Sequence, residues 1–137
     1  MHKIVSPVFP YESDSLGNTF PIIPLALAFT GKKKEFYALV DSGATISVFR
    51  AEVADSLGLV IEKGKEMYLG GVGGRIKGYL HEVEIEIAGI NFLCPIVFSR
   101  EYLVSFNLLG REAFFPRYRI IFEEKKKQLH LEVGRQG

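Results

Sequence analysis

The residues best suited to chemistry are Asp41-Ser42-Gly43-Ala44-Thr45, which follow the strand-like run Phe36-Tyr37-Ala38-Leu39-Val40 and lead into an apolar stretch from Ile46 to Phe49. A carboxylate placed where an apolar strand meets a tight Ser-Gly turn is partly desolvated, while turn N–H groups and the serine hydroxyl can hydrogen-bond and orient it. Such a group serves as a general acid or base. An isolated Asp-Ser-Gly is more often only a turn, with glycine supplying a positive φ, so its surroundings decide. The chain carries its own comparison, because its three aspartates, Asp14, Asp41 and Asp55, are each followed by serine. Asp14-Ser15-Leu16-Gly17 lies in a polar stretch, and Asp55-Ser56-Leu57-Gly58 closes a helix-like segment with glycine as its stop. Those two are assigned to structure.

A second stretch suited to binding is Gly70-Gly71-Val72-Gly73-Gly74, where four glycines in five residues let the backbone approach a ligand closely. It is not a phosphate cradle: no Gly-x-x-x-x-Gly-Lys-Ser/Thr is present, a third glycine is missing where Ile76 stands, and no helix follows. Arg75 to Ile87 continues instead as strand, with apolar and acidic side chains alternating from Val83 to Ile87, so the glycines form a hairpin tip.

These stretches need elements to hold them. Phe20 to Phe29 alternates as a strand, then Gly31 and Lys32-Lys33-Lys34 turn the chain into the strand Glu35 to Val40, which delivers Asp41. Phe49, Val53, Ala54 and Leu57 recur at helical spacing, predicting a helix over Ser47–Leu57 with Ser47 as cap and Gly58 as stop. Leu59 to Ile61 reads as a brief strand, and Phe92 to Phe98 as a buried strand despite Pro95. Ser99 to Ser105 has no clear pattern. Phe106 to Leu109 is an apolar strand ending at Gly110, followed by a helical turn Glu112–Phe115 stopped at Pro116, and Tyr118 to Val133 forms a hairpin whose tip holds Lys125-Lys126-Lys127.

With 137 residues and 47% hydrophobic composition, the chain suits one compact domain. Its 17 basic and 16 acidic residues give a net charge of +1 and no general pull toward nucleic acid or anionic membrane, and the two lysine triplets read as solvated hairpin tips. A lone cysteine, Cys94 before Pro95, excludes an intrachain disulfide and reads as a buried inert thiol. The scattered His2, His81 and His130 offer no ligand spacing and read as surface residues, and Ser42 lacks the Gly-x-Ser-x-Gly frame because Val40 stands at the first glycine. No metal or cofactor is expected. The amino terminus lacks a signal-peptide core, and the longest apolar stretch, near Pro21 to Phe29, is too short to span a bilayer, which predicts a soluble cytoplasmic protein.

Taken together, Asp41-Ser42-Gly43-Ala44, the tip Gly70 to Gly74 followed by Ile76-Lys77, and Asn107-Leu108-Leu109-Gly110-Arg111 resemble the retropepsin-like aspartic proteases in order and spacing, over about Phe20 to Phe115. The resemblance implies an all-β retropepsin-like barrel with one or two short helices over residues 1–137, carrying an amino-terminal arm at 1–19 and a carboxy-terminal hairpin at 116–137. It implies that Asp41 is the catalytic aspartate in a loop shared with Ser42 and Gly43, that Ser42 locks two catalytic loops together, and that Gly70, Gly71, Val72, Gly73 and Gly74 form a flap. The pocket positions it implies, Ala44, Val48, Leu69, Val72, Ile76 and Leu108, are all apolar, favouring hydrophobic side chains in a peptide or protein substrate. Because the mechanism needs two carboxylates sharing a proton and the chain supplies one suitable aspartate, a homodimer is expected.

The chain departs from the viral relatives in two places. Thr45 stands where they carry an acidic residue that pairs with the arginine matched by Arg111, so that ion pair cannot form. The tail beyond Pro116 is long enough for a full hairpin, which is expected to join the amino-terminal arm in subunit contacts. The competing reading keeps the fold as a non-catalytic peptide-binding or dimerisation module, with Asp41 a spectator.

Overall fold

The computed structural model describes residues 6–71 and 73–133. The arm forms β1 (Val8–Pro10) and a short hairpin of β2 (Glu12–Ser13) and β3 (Thr19–Phe20). Asp14 closes that hairpin's turn, its Oδ1 accepting from the N–H groups of Leu16 and Asn18 at 2.9 Å each. β4 (Ile22–Phe29) buries Ile23, Leu25 and Leu27 on one face, as alternation predicts, and turns into β5 (Lys32–Val40). The turn is Thr30-Gly31 alone, with Phe29 opposite Lys32, so the first lysine triplet belongs to the strand and not to the tip. Lys33 uses that position to pair with Glu86.

After the Asp41 loop come β6 (Ser47–Arg50) and α1 (Ala51–Leu57). The predicted helix over Ser47–Leu57 is therefore only its second half. Ser47 to Arg50 pair in parallel with Ile96 to Ser99, a ladder that suits the β-branched and aromatic side chains of Val48 and Phe49 and outweighs their helical spacing. Gly58, at φ 74°, ends the helix as expected. Leu59 and Ile61 are buried, but Ile61–Lys63 is a 3₁₀ turn in place of the expected strand, and the Ile61 carbonyl pairs with His81 Nε2 at 2.8 Å. His81 is thus half-buried, edge-on to Phe98, and not a surface residue.

β7 (Lys65–Gly71) and β8 (Gly74–Ile87) form the glycine-tipped hairpin, with Gly71 opposite Gly74. β9 (Ile90–Ser99) returns along β8. Pro95 is tolerated because β6 joins the other edge of β9 only from Ile96 onward, so its missing N–H breaks no ladder there. β10 (Asn107–Leu109) leads to a turn whose Phe115 N–H bonds back to Arg111 at 3.1 Å. Pro116 lies inside a following 3₁₀ turn, Phe115–Arg117, and does not stop it, since proline fits a first turn where its N–H is not needed. β11 (Arg119–Glu123) and β12 (Gln128–Glu132) complete the chain's strands, joined by a turn that holds the second lysine triplet as expected.

Seven strands follow the order β4-β5-β10-β6-β9-β8-β7, and a β4–β8 ladder at Ala26–Ala28 closes the sheet on itself. The arm and the carboxy-terminal hairpin pair with each other inside one chain, as the three-stranded sheet β1-β12-β11. One buried cluster runs from Tyr11 to Val133 and includes Phe49, Ile85, Ile96, Leu109 and Phe114 as well as Leu129 and Leu131 of the terminal sheet. Among the described residues, no helix is long and apolar enough to cross a membrane.

Because Leu129 is fully buried in that shared cluster, Leu129→Ala should cost about 2–5 kcal/mol. Urea denaturation should show a lower midpoint with an unchanged slope, as expected when terminal sheet and barrel unfold together. A second, separate transition would show that the terminal sheet is an independent unit.

Candidate active site

Asp41 stands in the first turn after β5, half-exposed, with Ser42 and Gly43 exposed beside it. Its Oδ1 accepts the Gly43 N–H at 2.9 Å, so the turn orients the carboxylate as its sequence implies. No hydrogen bond of the Ser42 hydroxyl is seen within the described residues of one chain.

What fixes this turn comes from a segment about 70 residues further along the chain. β10 inserts between β5, to which it is parallel, and β6, to which it is antiparallel. Its end threads through the loop: Asp41 N–H donates to the Leu109 carbonyl at 3.0 Å, Arg111 N–H to Ala44 at 2.9 Å, and Glu112 N–H to Thr45 at 2.9 Å. Gly110 passes so close that a Cβ there would lie 2.5 Å from the Ile46 carbonyl carbon and oxygen. Two fully or nearly fully buried polar side chains complete the clamp. Ser47 Oγ accepts from Gly110 N–H at 3.0 Å; Asn107 Oδ1 accepts from Arg50 N–H, and its Nδ2 donates to the Tyr37 carbonyl, both at 2.9 Å. Arg111 is exposed and makes no ion pair among the described residues; the Thr45 carbonyl and the Glu112 N–H form a backbone link in that region instead.

The glycine-rich hairpin meets these strands around a cavity of about 340 Å³. Val48, Leu69, Gly70, Gly71, Gly74, Ile76 and Leu108, all named from sequence, line it. Ala44 stays within the Asp41 loop and Gly73 at the tip, neither of them lining the cavity, and Val72 lies outside the described residues. At Gly73 and Gly74, φ values of 98° and 118° explain why the tip is built from glycine. Sequence reasoning missed the remaining wall, Glu101, Tyr102, Leu103 and Val104, because Ser99 to Ser105 has no periodicity. A larger groove of about 520 Å³ lies between α1, β5 and Ser105–Asn107, lined in part by Arg50 and Glu52, but the glycine hairpin takes no part in it; Asp41 itself lines neither space.

Tyr102 joins the two halves of the cavity. Its hydroxyl donates to the Phe106 carbonyl at 2.8 Å, and its ring packs with Val48 and Val97. Burial first, and then the negative charge of Asp41, push that hydroxyl up to about 12, so it remains a protonated donor. Cys94, fully buried, has its thiol pushed up to about 11 by burial against a smaller opposing hydrogen bond with Ser47. It is inert, as read from sequence.

The threading predicts a sharp contrast between glycines. Gly110→Ala meets backbone that cannot yield and should lose at least about 3 kcal/mol in chemical denaturation, whereas Gly70→Ala, with nothing within 4 Å of its Cβ, should stay within about 0.5 kcal/mol of the parent. In the same samples at pH 8, Cys94 should react with a thiol reagent only after unfolding; rapid labelling of the folded protein would contradict its burial.

An aspartyl protease family model matches residues 26–113, a span containing the Asp41 loop, the glycine hairpin and the Gly110 crossing. A retropepsin-like aspartic protease from Rickettsia conorii superposes with a TM-score of 0.64 at 17% identity, over 99% of this chain and 97% of its own. EIAV protease, in complex with the inhibitor HBY-793, superposes with a TM-score of 0.56 at 20% identity, over 77% of this chain and 93% of its own. At such identities the likeness is one of fold. No curated protein matches the chain in sequence. The family match over most of the chain and the shared fold agree with the threaded Asp41 loop: this chain belongs to the aspartyl protease family and has the retropepsin-like fold.

Proposed function

We propose that the protein is an endopeptidase active as a homodimer, cutting between hydrophobic residues with two Asp41 carboxylates, one from each copy. The observation that carries this reading is the clamped Asp41 loop beside an apolar cavity bordered by a glycine-tipped hairpin. Among the chain's three aspartates, Asp14 is engaged in its own turn and Asp55 pairs with Arg100 at 3.3 Å, which leaves Asp41 for chemistry.

Two carboxylates meeting on a twofold axis share one proton, because like charges at hydrogen-bond distance do not both ionise. The ionised partner takes a proton from a water, whose oxygen attacks the scissile carbonyl carbon. The protonated partner gives its proton to the carbonyl oxygen. Collapse of the resulting diol breaks the C–N bond: the carboxyl that took the water's proton gives it to the leaving nitrogen, while the other carboxylate takes a proton from a diol hydroxyl, so the pair again shares one proton. In this reading Ser42, exposed in one copy, meets its counterpart across the axis and locks the loops together. Gly70 to Gly74 act as the flap, offering backbone hydrogen bonds to an extended peptide and excluding water. Residues 1–137 then act as a single catalytic domain, one per copy.

The test is cleavage of a mixed peptide library by wild type and Asp41→Asn across acidic to neutral pH, with the mass in solution measured for each. Wild type should cut between hydrophobic residues with a bell-shaped pH profile, since only the singly protonated pair is competent. The variant should keep its mass and lose at least about 10³-fold in rate. A dimeric wild type that cuts nothing at any pH would transfer the protein to the non-catalytic peptide-binding reading.

A further inference from the structure

The cavity between the glycine hairpin and β10 is walled by apolar side chains and glycines, with one charged exception among the described residues, Glu101. Its position is not incidental. Lys77 lies two residues beyond the β8–β9 ladder, which ends at Tyr79 opposite Phe98. Side chains take over the ladder's role there: Glu101 Oε1 accepts the Lys77 N–H at 2.9 Å, and the buried Ser99 hydroxyl donates to the Lys77 carbonyl. The carboxylate is therefore held at a fixed point by one oxygen.

Its charge has no partner among the described residues. The ammonium of Lys77 pairs with Glu66 at 3.2 Å, and the neighbouring Arg100 is taken by Asp55 and Glu62. No cation lies within ion-pair distance of Glu101 among the described residues. The exposed side chain thus sets one uncompensated negative charge at the rim of an apolar subsite.

We propose that Glu101 is a specificity-determining residue that selects peptides carrying a basic side chain two residues from the apolar one seated in this cavity. The inference rests on the peptidase reading and deepens it. In an extended peptide, side chains two positions apart lie on the same face, about 7 Å from one another. One fills the space between Val48, Ile76 and Leu108 while the other reaches the rim. A Lys or Arg there meets the free oxygen of Glu101, and a Glu meets repulsion. Because a homodimer carries two copies of the rim, the preference applies on both sides of the cut.

The experiment compares kcat/KM for three synthetic peptides with the same hydrophobic pair at the cut and Lys, Gln or Glu two residues away. Wild type should prefer Lys over Gln by about fivefold, with Glu poorest, and the spread should shrink in high salt. In Glu101→Gln the amide oxygen still accepts the Lys77 N–H while the charge is gone, so the three peptides should become equivalent; Glu101→Lys should invert the order. Equal rates for all three with wild type would overturn the inference while leaving the peptidase intact. A Lys preference that survives in Glu101→Gln would overturn it as well. Should Glu101→Gln fail to fold, the wild-type ranking and its salt dependence decide alone. Wild type that cleaves none of them, nor any library peptide, would overturn the peptidase reading and this inference with it.

Discussion

The structure depends on two backbone segments passing in contact where the chain crosses itself, at Gly110 and the loop Asp41–Ile46. A carboxylate used in chemistry must be held to within a fraction of an ångström, yet it sits on a half-exposed loop. The solution is to make that loop's own amides and carbonyls the partners of β10. The bonds Asp41 to Leu109 and Arg111 to Ala44 run in opposite senses, so the loop is held from both sides. β10 is only three residues long and could not define this position by its ladder alone. Ser47 and Asn107 extend it, since their side chains bond backbone groups on the Gly110 turn, β5 and β6.

The same crossing divides the apolar residues into two groups. One cluster is sealed inside the barrel; the other, around Val48, Val97 and Tyr102, is flanked by the partly buried Ile46, Leu69, Ile76 and Leu108. A sealed cluster provides stability. An open one lined by a glycine hairpin leaves surface to be covered by something else, which is the physical content of a binding cleft. Tyr102 lies on the boundary, its ring in the open cluster and its hydroxyl tied to the strand leading into β10. The cleft wall and the clamp on the Asp41 loop therefore share the strands β6 and β10, Val48 and Leu108 facing the cleft and Ser47 and Asn107 holding the loop's supports.

Much of this was legible in the sequence because it rests on local chemistry. The alternation along β4 and β8, the glycine tip and the small residues around Asp41 each follow from what one segment requires of itself. What was not legible depended on partners distant in sequence. Ser47 has the chemistry of a helix cap and stands four residues before the helix begins, because Ile96 to Ser99 claim its neighbours as a strand and Gly110 claims its hydroxyl. Leu59 to Ile61 has strand composition, but His81 takes the Ile61 carbonyl in a 3₁₀ turn. Glu101 to Val104 lacks any period because a turn that lines a cleft is shaped by the cleft and not by a repeating element. The one signal for it was position, since it immediately precedes the strand that runs to Gly110.

The two departures from the viral pattern bear on how copies of this chain would meet. Within one chain the arm and the carboxy-terminal hairpin pair with each other, β12 having β1 on one side and β11 on the other. Among the described residues, the outer edges of β1 and β11 are the unpaired edges of this sheet, and the fully buried Leu129 and Leu131 tie it to its own barrel. Thr45 removes the acidic partner of Arg111. In the proposed dimer, the missing ion pair would shift the work of association toward the Asp41 loop, the hairpin tips and whatever lies between them. A peptide in the cleft would touch both copies at once, and its binding energy would then serve assembly as well as recognition, since a ligand favours the state to which it binds better. On this argument the affinity between copies and the affinity for substrate are one linked quantity. The uncompensated charge of Glu101, placed at the cleft rim of each copy, would then act on both.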